Sequence, residues 1–299
     1  MATNTYVALG QHKELSDIVK LISPEKTPFQ SAIGEETVTN HIFNWTEEEL
    51  AAAGANALVE GADAPAADDN LLVERLNYTQ IFGKQVSLSG TYQATALAGK
   101  TQKMAHQTQL RAAEIKRDVE WAYLNGQAAV AGNASTARQT ASFQAQVDAA
   151  NVVDMAGVAL TGGELDEVLA SIYEAGGTPD MVLAHPQLRR SLSAVLEPTS
   201  LTRDIGTGSK VNTSVTVYIS DVGEVMIGND IHCKYNSGTG VGDIIVFDSS
   251  MVKESVLRPF AMEDLAKTGD ADNKFLRVEK GLKVENQKAM GLISNVLKA

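Results

Sequence analysis

A chain of 299 residues and 31.8 kDa is larger than one small domain, and it is long enough to bury a substantial core. Its 37 acidic and 25 basic residues give a net charge of −12, which argues against a protein that binds nucleic acid mainly through phosphate contacts. Its one cysteine, Cys233, excludes an internal disulfide framework and a multi-cysteine metal cluster. Neither a secretory signal pattern nor an apolar run long enough to span a membrane is present. The composition therefore predicts a soluble protein without a recognisable export signal.

The first 40 residues have the pattern of an arm rather than of a domain. Apolar residues recur at helical spacing in ELSDIVKLI, residues 14–22. Pro24 ends that helix, because the residue before a proline avoids the helical conformation. The segment offers too little apolar area to fold alone, so we expect it to lie on another surface.

Two strand-like segments follow, and they flank a segment that cannot form a core. Residues 41–50 alternate polar with apolar side chains, and residues 74–91 are rich in β-branched and aromatic side chains. Residues 51–70, between them, are mostly Ala, Gly and Asp, which predicts an exposed tip. A long two-stranded projection is only marginally stable alone. We therefore expect its aromatic residues to contact another subunit.

Residues 94–124 predict one long, unbroken helix. Their apolar side chains recur every three, four or seven residues, and no proline occurs between Pro65 and Pro179. Asn125-Gly126 is a typical helix end. A helix of roughly thirty residues would be about 45 Å long, which is unusual in a small enzyme domain.

The remainder of the chain predicts a loop-rich segment and then a mixed α/β unit. Residues 127–163 are rich in Ala, Gly and Ser, which favours loops. Periodicity and turn residues then predict the following elements: a helix over 163–177, a buried strand over 179–185, a helix over 186–196, a hairpin over 214–229 that turns at 221–223, a strand over 242–260, and a returning strand pair over 275–296.

The sequence does not carry the pattern of a catalytic, cofactor or metal site. The five histidines have no zinc-binding spacing, and no nucleophile elbow is present. The glycine-rich segments 206–210 and 238–243 do not match the phosphate-binding fingerprints. His232 and Cys233 are neighbours on a predicted strand, so their side chains point to opposite faces. An unrecognised α/β enzyme stays an alternative. The histidines are His12, His41, His106, His185 and His232.

The order of these elements resembles the major capsid proteins of tailed double-stranded DNA bacteriophages, which have the Hong Kong 97-type fold. A closer likeness to one branch of these proteins lies in ISPEKTPFQSAIG (22–34), NYTQIFGKQVSLSGT (77–91), EIKRDVEWAYLNG (114–126) and residues 263–291. Residues 127–160 match poorly. The resemblance implies an α+β fold with an N-terminal arm, an extended loop (E-loop) hairpin, a long spine helix in a peripheral domain, and an α/β axial domain.

The resemblance also implies a division of the chain and a function. A structural capsid protein of this kind assembles into pentamers and hexamers that form an icosahedral shell around the packaged genome, without catalysis or a cofactor. The expected parts are the N-arm (1–40), the E-loop hairpin (41–91), the peripheral domain with the spine helix (92–150), the axial domain (151–250) and the returning strands of the peripheral domain (251–299).

In such a shell the hairpin would lie across a neighbouring subunit and the arm would clamp another. Aromatic residues would anchor the hairpin, and an acidic run on it would meet basic residues of a neighbour's spine helix. Exposed ion pairs contribute only about 0–1 kcal/mol each, so they would set register more than strength. The expected subunit-interface residues are Trp45, Glu47, Glu48, Glu49, Tyr78, Phe82, Arg111 and Arg117.

Further partners follow from the same resemblance: a separate scaffolding protein, a portal, a decoration protein, and packaged double-stranded DNA bound without sequence specificity, but no membrane. The protein would be assembled in the host cytoplasm and reside in the virion. No lysine lies between His41 and Gln80, and Lys84 lies well down the second strand, so we expect no isopeptide cross-link between subunits. The alternatives are an encapsulin-like compartment shell protein, a phage tail component and the enzyme mentioned above.

Overall fold

The computed structural model describes residues 26–51, 53–61, 63, 72–95, 103–196, 217–267 and 269–298. The predicted arm helix at residues 14–22 and the glycine-rich segment 206–210 lie outside them. The strands are, in chain order, β1 (Gly34–Thr37), β2 (Ile42–Glu47), β3 (Val73–Tyr78), β4 (Gln80–Ser89), β5 (Val152–Asp154), β6 (Met181–Ala184), β7 (Val217–Ser220), β8 (Gly223–Asn229), β9 (Tyr235–Asn236), β10 (Val241–Phe247), β11 (Val252–Asp264), β12 (Ala271–Val284) and β13 (Met290–Leu297). The α-helices are α1 (Pro28–Ala32), α2 (Gly90–Ala94), α3 (Lys103–Leu124), α4 (Phe143–Gln146), α5 (Gly162–Glu174) and α6 (Pro186–Leu196).

A four-stranded sheet in the order β1-β11-β12-β4 carries the spine helix α3. The side chains of β4 alternate between buried and exposed, so that Phe82, Val86 and Leu88 face the helix. On the helix, Ile115 and Val119 belong to the same buried cluster. The alternate buried side chains of β4 and the helically spaced apolar side chains of α3 therefore pack in one core.

The spine helix ends where the sequence predicts and does not begin where it predicts. It ends at Leu124, and Gly126 follows with φ +71°, as expected of a glycine after a helix end. Residues 94–124 do not form one unbroken helix, because Thr95 has extended backbone angles (φ −71°, ψ 129°) after the short α2. In the described chain the long helix starts at Lys103.

A seven-stranded sheet forms the second unit, in the order β5-β13-β10-β6-β8-β7 with β9 paired to β10. The predicted helices correspond to α5 and α6, and the predicted hairpin is β7–β8, which turns between Ser220 and Gly223. These local predictions are confirmed. The pairing of the last strands is different from the prediction: β12 returns to the four-stranded sheet, whereas β13 pairs with β10 and β5 in the seven-stranded sheet.

Strand β10 of the seven-stranded sheet is buried on both faces, and each face packs against a different core. On β10, Ile245 and Phe247 face the cluster that contains the spine helix, while Ile244 and Val246 face α5 and α6. A strand buried on both faces reads as a continuous apolar run, as IIVF does here. Strand β10 therefore lies between the two cores and packs against both.

The end of the predicted arm, from Pro28 to Thr37, is built into the body of the subunit. Pro28 opens α1, and the Phe29 ring is fully buried against Tyr123, Phe143 and Phe247 with ring centroids 5.2–6.3 Å apart. Strand β1 then pairs in parallel with β11. Part of the predicted arm is thus a core element, because its one large aromatic residue finds a partner surface within the same chain.

Candidate assembly interface

Strands β2 and β3 form a two-stranded hairpin that pairs with neither large sheet. Its antiparallel register places Ile42 opposite Tyr78, and Asn44 opposite Leu76, on one face. We call this the outer face, because Ile42 is 37% and Leu76 is 51% exposed. The opposite, inner face carries Phe43, which is buried. The hairpin therefore presents apolar side chains to solvent on its outer face and to the body of the subunit on its inner face.

The inner face of the hairpin is ordered by ring stacking and ion pairs. The rings of Phe43 and Trp45 stack with centroids 6.1 Å apart and planes 20° from parallel. Arg75, opposite Trp45, pairs with Glu47 at 3.0 Å. Further along, Glu49 pairs with Lys288 of the body at 2.6 Å, and both side chains are largely exposed. Such an exposed pair contributes about 0–1 kcal/mol, so it guides the hairpin more than it holds it.

The root of the hairpin is fixed by Asn77, whose side chain is fully buried. Its amide nitrogen donates to the Leu282 carbonyl at 2.6 Å and to the Thr140 hydroxyl at 3.2 Å. Its amide oxygen accepts from the backbone N–H groups of Ala141 and Tyr78, each at 2.8 Å. This buried carboxamide, with its donors and its acceptor satisfied, therefore fixes β3 to β12 and to the loop before α4.

A second polar group fixes the other side of the root. The Thr79 hydroxyl donates to Glu279 at 3.0 Å, and the Thr79 N–H donates to the His41 carbonyl at 2.9 Å. Glu279 is buried and also accepts from Arg138 and, at 2.6 Å, from Arg258. Two guanidinium groups compensate one buried carboxylate, so the charge is paired where it would otherwise be costly.

The aromatic residues predicted for the interface lie in three different places. Trp45 is half-buried on the inner face of the hairpin, and Tyr78 is half-buried on the outer face. Phe82 is only 7% exposed and packs in the core beneath β4, which pairs with β12 rather than with the hairpin. This placement corrects the sequence-based picture for Phe82: its ring is occupied within its own subunit and is not available to a neighbour.

The charged residues predicted for the interface have partners within the chain. Glu47 and Glu49 form the pairs described above, and Arg111 pairs with Glu114 at 2.7 Å along the spine helix. Glu48 is exposed on the hairpin, and Arg117 is half-buried on the helix. The structure of one subunit therefore does not bring the acidic run and the two arginines together.

Lys84 lies on β4, in the four-stranded sheet. Its ammonium group is 2.8 Å from Asp118 and 3.3 Å from Glu114, both on the spine helix. Two carboxylates on one face of the helix thus hold this lysine against the subunit.

A buried pair of carboxyl groups joins three parts of the subunit. Glu120 of the spine helix accepts the backbone N–H of Phe29 at 2.8 Å and that of Gln30 at 3.1 Å. Burial and the hydrogen bond with Asp230 raise the pKa of Glu120 to about 9. Asp230 Oδ2 is buried and has no N–H or hydroxyl donor in the described chain, so the proton on Glu120 is its partner. Asp230 itself follows β8 and accepts from the His232 N–H at 2.8 Å.

The cysteine, one histidine and one glycine-rich segment that the sequence analysis considered as possible sites are part of the packed structure. The Cys233 thiol is buried, and burial raises its pKa well above the ordinary value, which suppresses the thiolate. The His185 ring stacks on Tyr235 at 4.4 Å, and burial lowers its pKa. Segment 238–243 forms the turn that enters β10. In the ranges that the structure describes, no cluster of three or more His, Cys, Asp or Glu residues fits a metal ion, and no helix is long and apolar enough to cross a membrane.

One cavity of about 270 Å³ lies beside β10. Its floor holds the buried carboxylate of Asp243, which pairs with Lys234 at 3.2 Å and accepts from Gln144 at 3.1 Å. The other carboxylate oxygen accepts the Asn295 N–H at 3.0 Å. The polar groups of this cavity satisfy one another, as is typical of a structural network.

The root residues Asn77, Thr79 and Glu279 were missed in the sequence. Asparagine is depleted in strands, so Asn77 within an otherwise strand-like run is the signal that sequence reasoning had available. Its partners outside β3 lie 63–205 residues away in the chain, and no local pattern indicates them.

Comparison with known proteins places the fold and the hairpin in context. A family model described as the SU10 major capsid protein matches residues 1–297. The major capsid protein of Escherichia phage Phieco32 is 25% identical over 340 residues, which cover 97% of this chain and 95% of that protein. A solved structure from Mycobacterium phage Adephagia aligns with a TM-score of 0.65 at 15% identity, over 98% of this chain and 97% of that one.

A compartment protein has the same fold. The holo-SrpI encapsulin complex from Synechococcus elongatus PCC 7942 aligns with a TM-score of 0.65 at 13% identity, over 98% of this chain and 94% of that one. At that identity the likeness shows the fold alone, whereas the family model spans nearly the whole chain. The resemblance stated from the sequence is confirmed: the chain belongs to the SU10 major capsid protein family, and it is a phage major capsid protein with the Hong Kong 97-type fold.

Proposed function

We propose that copies of this subunit assemble into pentamers and hexamers by laying the β2–β3 hairpin across a neighbouring copy. The observation that carries the proposal is the outer face of the hairpin, where Ile42 and Leu76 are exposed on a projection that pairs with neither sheet. Solvent-exposed apolar side chains on an isolated hairpin favour a partner surface. Capsid assembly from copies of one chain supplies that partner.

The apolar contact supplies more free energy than the charges around it. Full burial of a leucine or isoleucine side chain stabilises by roughly 1.5–3 kcal/mol. The exposed apolar residues of the projection also include Val73, which lies opposite Glu47 on the inner face at the end of β3, and Leu58 and Val59 in the segment between the strands. Several such side chains, repeated at every contact in a shell, outweigh exposed ion pairs of about 0–1 kcal/mol each.

The charged residues then act on register. Glu48 is exposed and forms no ion pair in the described chain, unlike Glu47 and Glu49, and the half-buried Arg117 lies on the spine helix. The partners of Glu47, Glu49 and Arg111 within the chain reduce what those residues can add between copies. Of the charged pairs predicted from the sequence, Glu48 with Arg117 of a neighbour is the one we retain.

The finer setting belongs to the same proposal. The shell encloses packaged double-stranded DNA, to which a chain of net charge −12 does not adhere strongly. A separate scaffolding protein, a portal and a decoration protein act with it, and assembly takes place in the host cytoplasm. The protein acts by assembly and not by catalysis, in keeping with its structural family.

The test compares a polar and an apolar replacement of Leu76. Leu76→Asn makes the outer face polar, and Leu76→Met keeps it apolar. We expect Leu76→Asn to reduce closed shells at least about tenfold, because the exposed half of the side chain contributes roughly 1 kcal/mol per contact and the loss is repeated at every contact in a shell, while the subunit melts at the wild-type temperature. Leu76→Met is expected to assemble normally. Negative-stain electron microscopy and sedimentation velocity measure both, after expression with the other proteins of the infected cell. Normal shells from Leu76→Asn would contradict the hairpin contact.

The content of the particles separates the capsid from the compartment alternative. A capsid isolated from infected cells encloses DNA, and a compartment shell encloses cargo protein. Nuclease-protected DNA in the purified particles is the expected result, and cargo protein without DNA would favour the encapsulin-like alternative. Tubes or stacked rings in the micrographs would favour a tail component.

A further inference from the structure

The root of the hairpin contains a close contact that the proposed interface does not explain. Phe43 of β2 and the backbone of Tyr78 of β3 lie directly against Gly281, which is buried in β12. A Cβ atom at Gly281 would lie 2.7 Å from the Tyr78 carbonyl oxygen and 2.8 Å from Phe43 Cε1. Favourable contacts between heavy atoms begin at about 3.5 Å. Any side chain at this position therefore pushes the root of the hairpin outward.

The same root is held from the other side by Asn77. Its bonds to Leu282 and to the Ala141 N–H tie β3 to the strand that carries Gly281 and to the loop before α4. Phe43 and Asn77 are opposite each other in the register of the hairpin, so the ring and the carboxamide enter the body side by side. We call Phe43, Asn77 and Gly281 the root socket.

We infer that Phe43 and Gly281 are positioning residues, which set the angle at which the hairpin leaves the subunit and thereby the curvature with which copies meet. This inference rests on the proposed role of the hairpin as the contact between copies. The side chains of the root socket lie on the inner face; Tyr78 of the outer face contacts Gly281 through its backbone carbonyl, and the exposed Ile42 and Leu76 are not members of the socket. The direction of the hairpin is therefore set separately from the surface that it presents.

A small displacement at the root socket becomes a larger one along the hairpin. Relieving a contact of 2.7 Å requires the strands to move by about 0.8 Å. Across the roughly 4.8 Å between neighbouring strands this is a rotation of about 9°. Val73 lies five residues from Tyr78, or about 17 Å at 3.3 Å per residue, so it moves by about 3 Å. A shift of that size is large against the fit that a closed shell requires.

The first experiment measures the hairpin angle in dissociated full-length subunits, so that it does not depend on assembly. Spin labels are placed on cysteines introduced at Val73 and at the exposed Glu174 of α5, with the buried Cys233 replaced by alanine. We expect Gly281→Ala to shift the distance between the labels by about 3 Å. The double variant Phe43→Leu/Gly281→Ala removes the ring contact but keeps the contact with the Tyr78 carbonyl, so it should return only part of that shift. An unchanged distance in Gly281→Ala would overturn the inference.

A matched glycine and a milder variant complete this measurement. Gly163 in α5 has no atom within 4 Å of a built Cβ, so Gly163→Ala should leave the label distance unchanged. If Gly281→Ala does not fold, Phe43→Leu alone tests the root socket, because the smaller side chain loosens the contact without adding an atom. We then expect a broader distance distribution. A distribution as narrow as that of the wild type would count against the inference.

The second experiment measures shells. Variants are supplied in infected cells, and particle diameter and the closed fraction are counted by electron microscopy. We expect Gly281→Ala to give at least about tenfold fewer closed shells of normal diameter, with partial recovery in the double variant and none of this in Gly163→Ala. Normal shells despite a shifted label distance would overturn the role in curvature while leaving the interface intact. Failure of the interface itself is reported separately, by normal shells from Leu76→Asn.

Discussion

Replacing Glu120 with glutamine is expected to abolish a loss of stability that the wild-type subunit undergoes between about pH 7 and pH 9. The Glu120 carboxyl is fully buried, and burial together with Asp230 raises its pKa to about 9 from an ordinary value of 4.5. Between pH 4.5 and about pH 9 the folded subunit keeps the Glu120 proton, which the unfolded chain has released. The stabilisation is therefore complete below the unfolded pKa and is lost as the pH rises through the folded one.

The size of the effect follows from one proton. A difference of one bound proton changes the free energy of unfolding by about 1.4 kcal/mol per pH unit, or roughly 3 kcal/mol over two units. Burial lowers the pKa values of His185 and His232, so both titrate below this window. Glutamine at position 120 keeps an acceptor for the Phe29 N–H and gains a donor for Asp230, so its slope in the window should lack the contribution of the Glu120 proton, while the buried Cys233 thiol contributes equally to the variant and the wild type.

Urea denaturation of dissociated subunits at several pH values, followed by circular dichroism, measures the slope. Glu114→Gln is the matched control, since Glu114 lies on the same helix and the bonds to Arg111 and Lys84 leave its pKa lowered. That variant should keep the wild-type slope. Parallel curves for the wild type and Glu120→Gln from about pH 7 to pH 9 would refute the protonated pair, whatever the absolute stabilities.

Two further predictions concern the root of the hairpin and the thiol. Asn77→Ala leaves the Ala141 N–H without its partner in the interior and takes one of two side-chain donors from the Leu282 carbonyl, which keeps Gln146; we expect it to lower the free energy of unfolding by about 2 kcal/mol in urea. Asn44→Ala, on the exposed face of the same hairpin, should cost less than about 1 kcal/mol by the same measurement, and equal losses would place Asn77 outside the core. Cys233 should resist alkylation in the folded subunit and react once urea unfolds it, because burial protonates and shields the thiol. Rapid alkylation of the native protein would contradict its placement.

Local pattern was sufficient for the elements whose partners are near in sequence. The β7–β8 hairpin turns within a few residues, and α6 begins at Pro186, where proline is tolerated in a helix. The end of the spine helix is likewise indicated by Gly126, which adopts a positive φ. Each of these predictions depends on the backbone preferences of adjacent residues, which can be judged from the sequence alone.

Placement over long distances could not be predicted in the same way. The alternating pattern of Phe82 and its neighbours correctly indicates a strand, but it does not say whether that strand continues the hairpin or pairs with β12. Asn77 is informative only once Leu282 is known to lie against it, 205 residues later. The apolar stripe of the predicted helix also continued past Thr95, where the backbone turns out of the helix. In each case the deciding contact is between residues that are remote in the chain.

The position of β13 has a consequence for the order in which the subunit is made. This strand lies between β5 and β10 in the interior of the seven-stranded sheet, and β5 has its described strand partner only in β13. A nascent chain that has already exposed the hairpin and the spine helix still lacks an interior strand of its second sheet until residue 297 has left the ribosome. The hairpin that we propose joins copies is thus synthesised early, and the seven-stranded sheet is completed last. Translation itself therefore delays the moment at which a subunit becomes competent to join a shell.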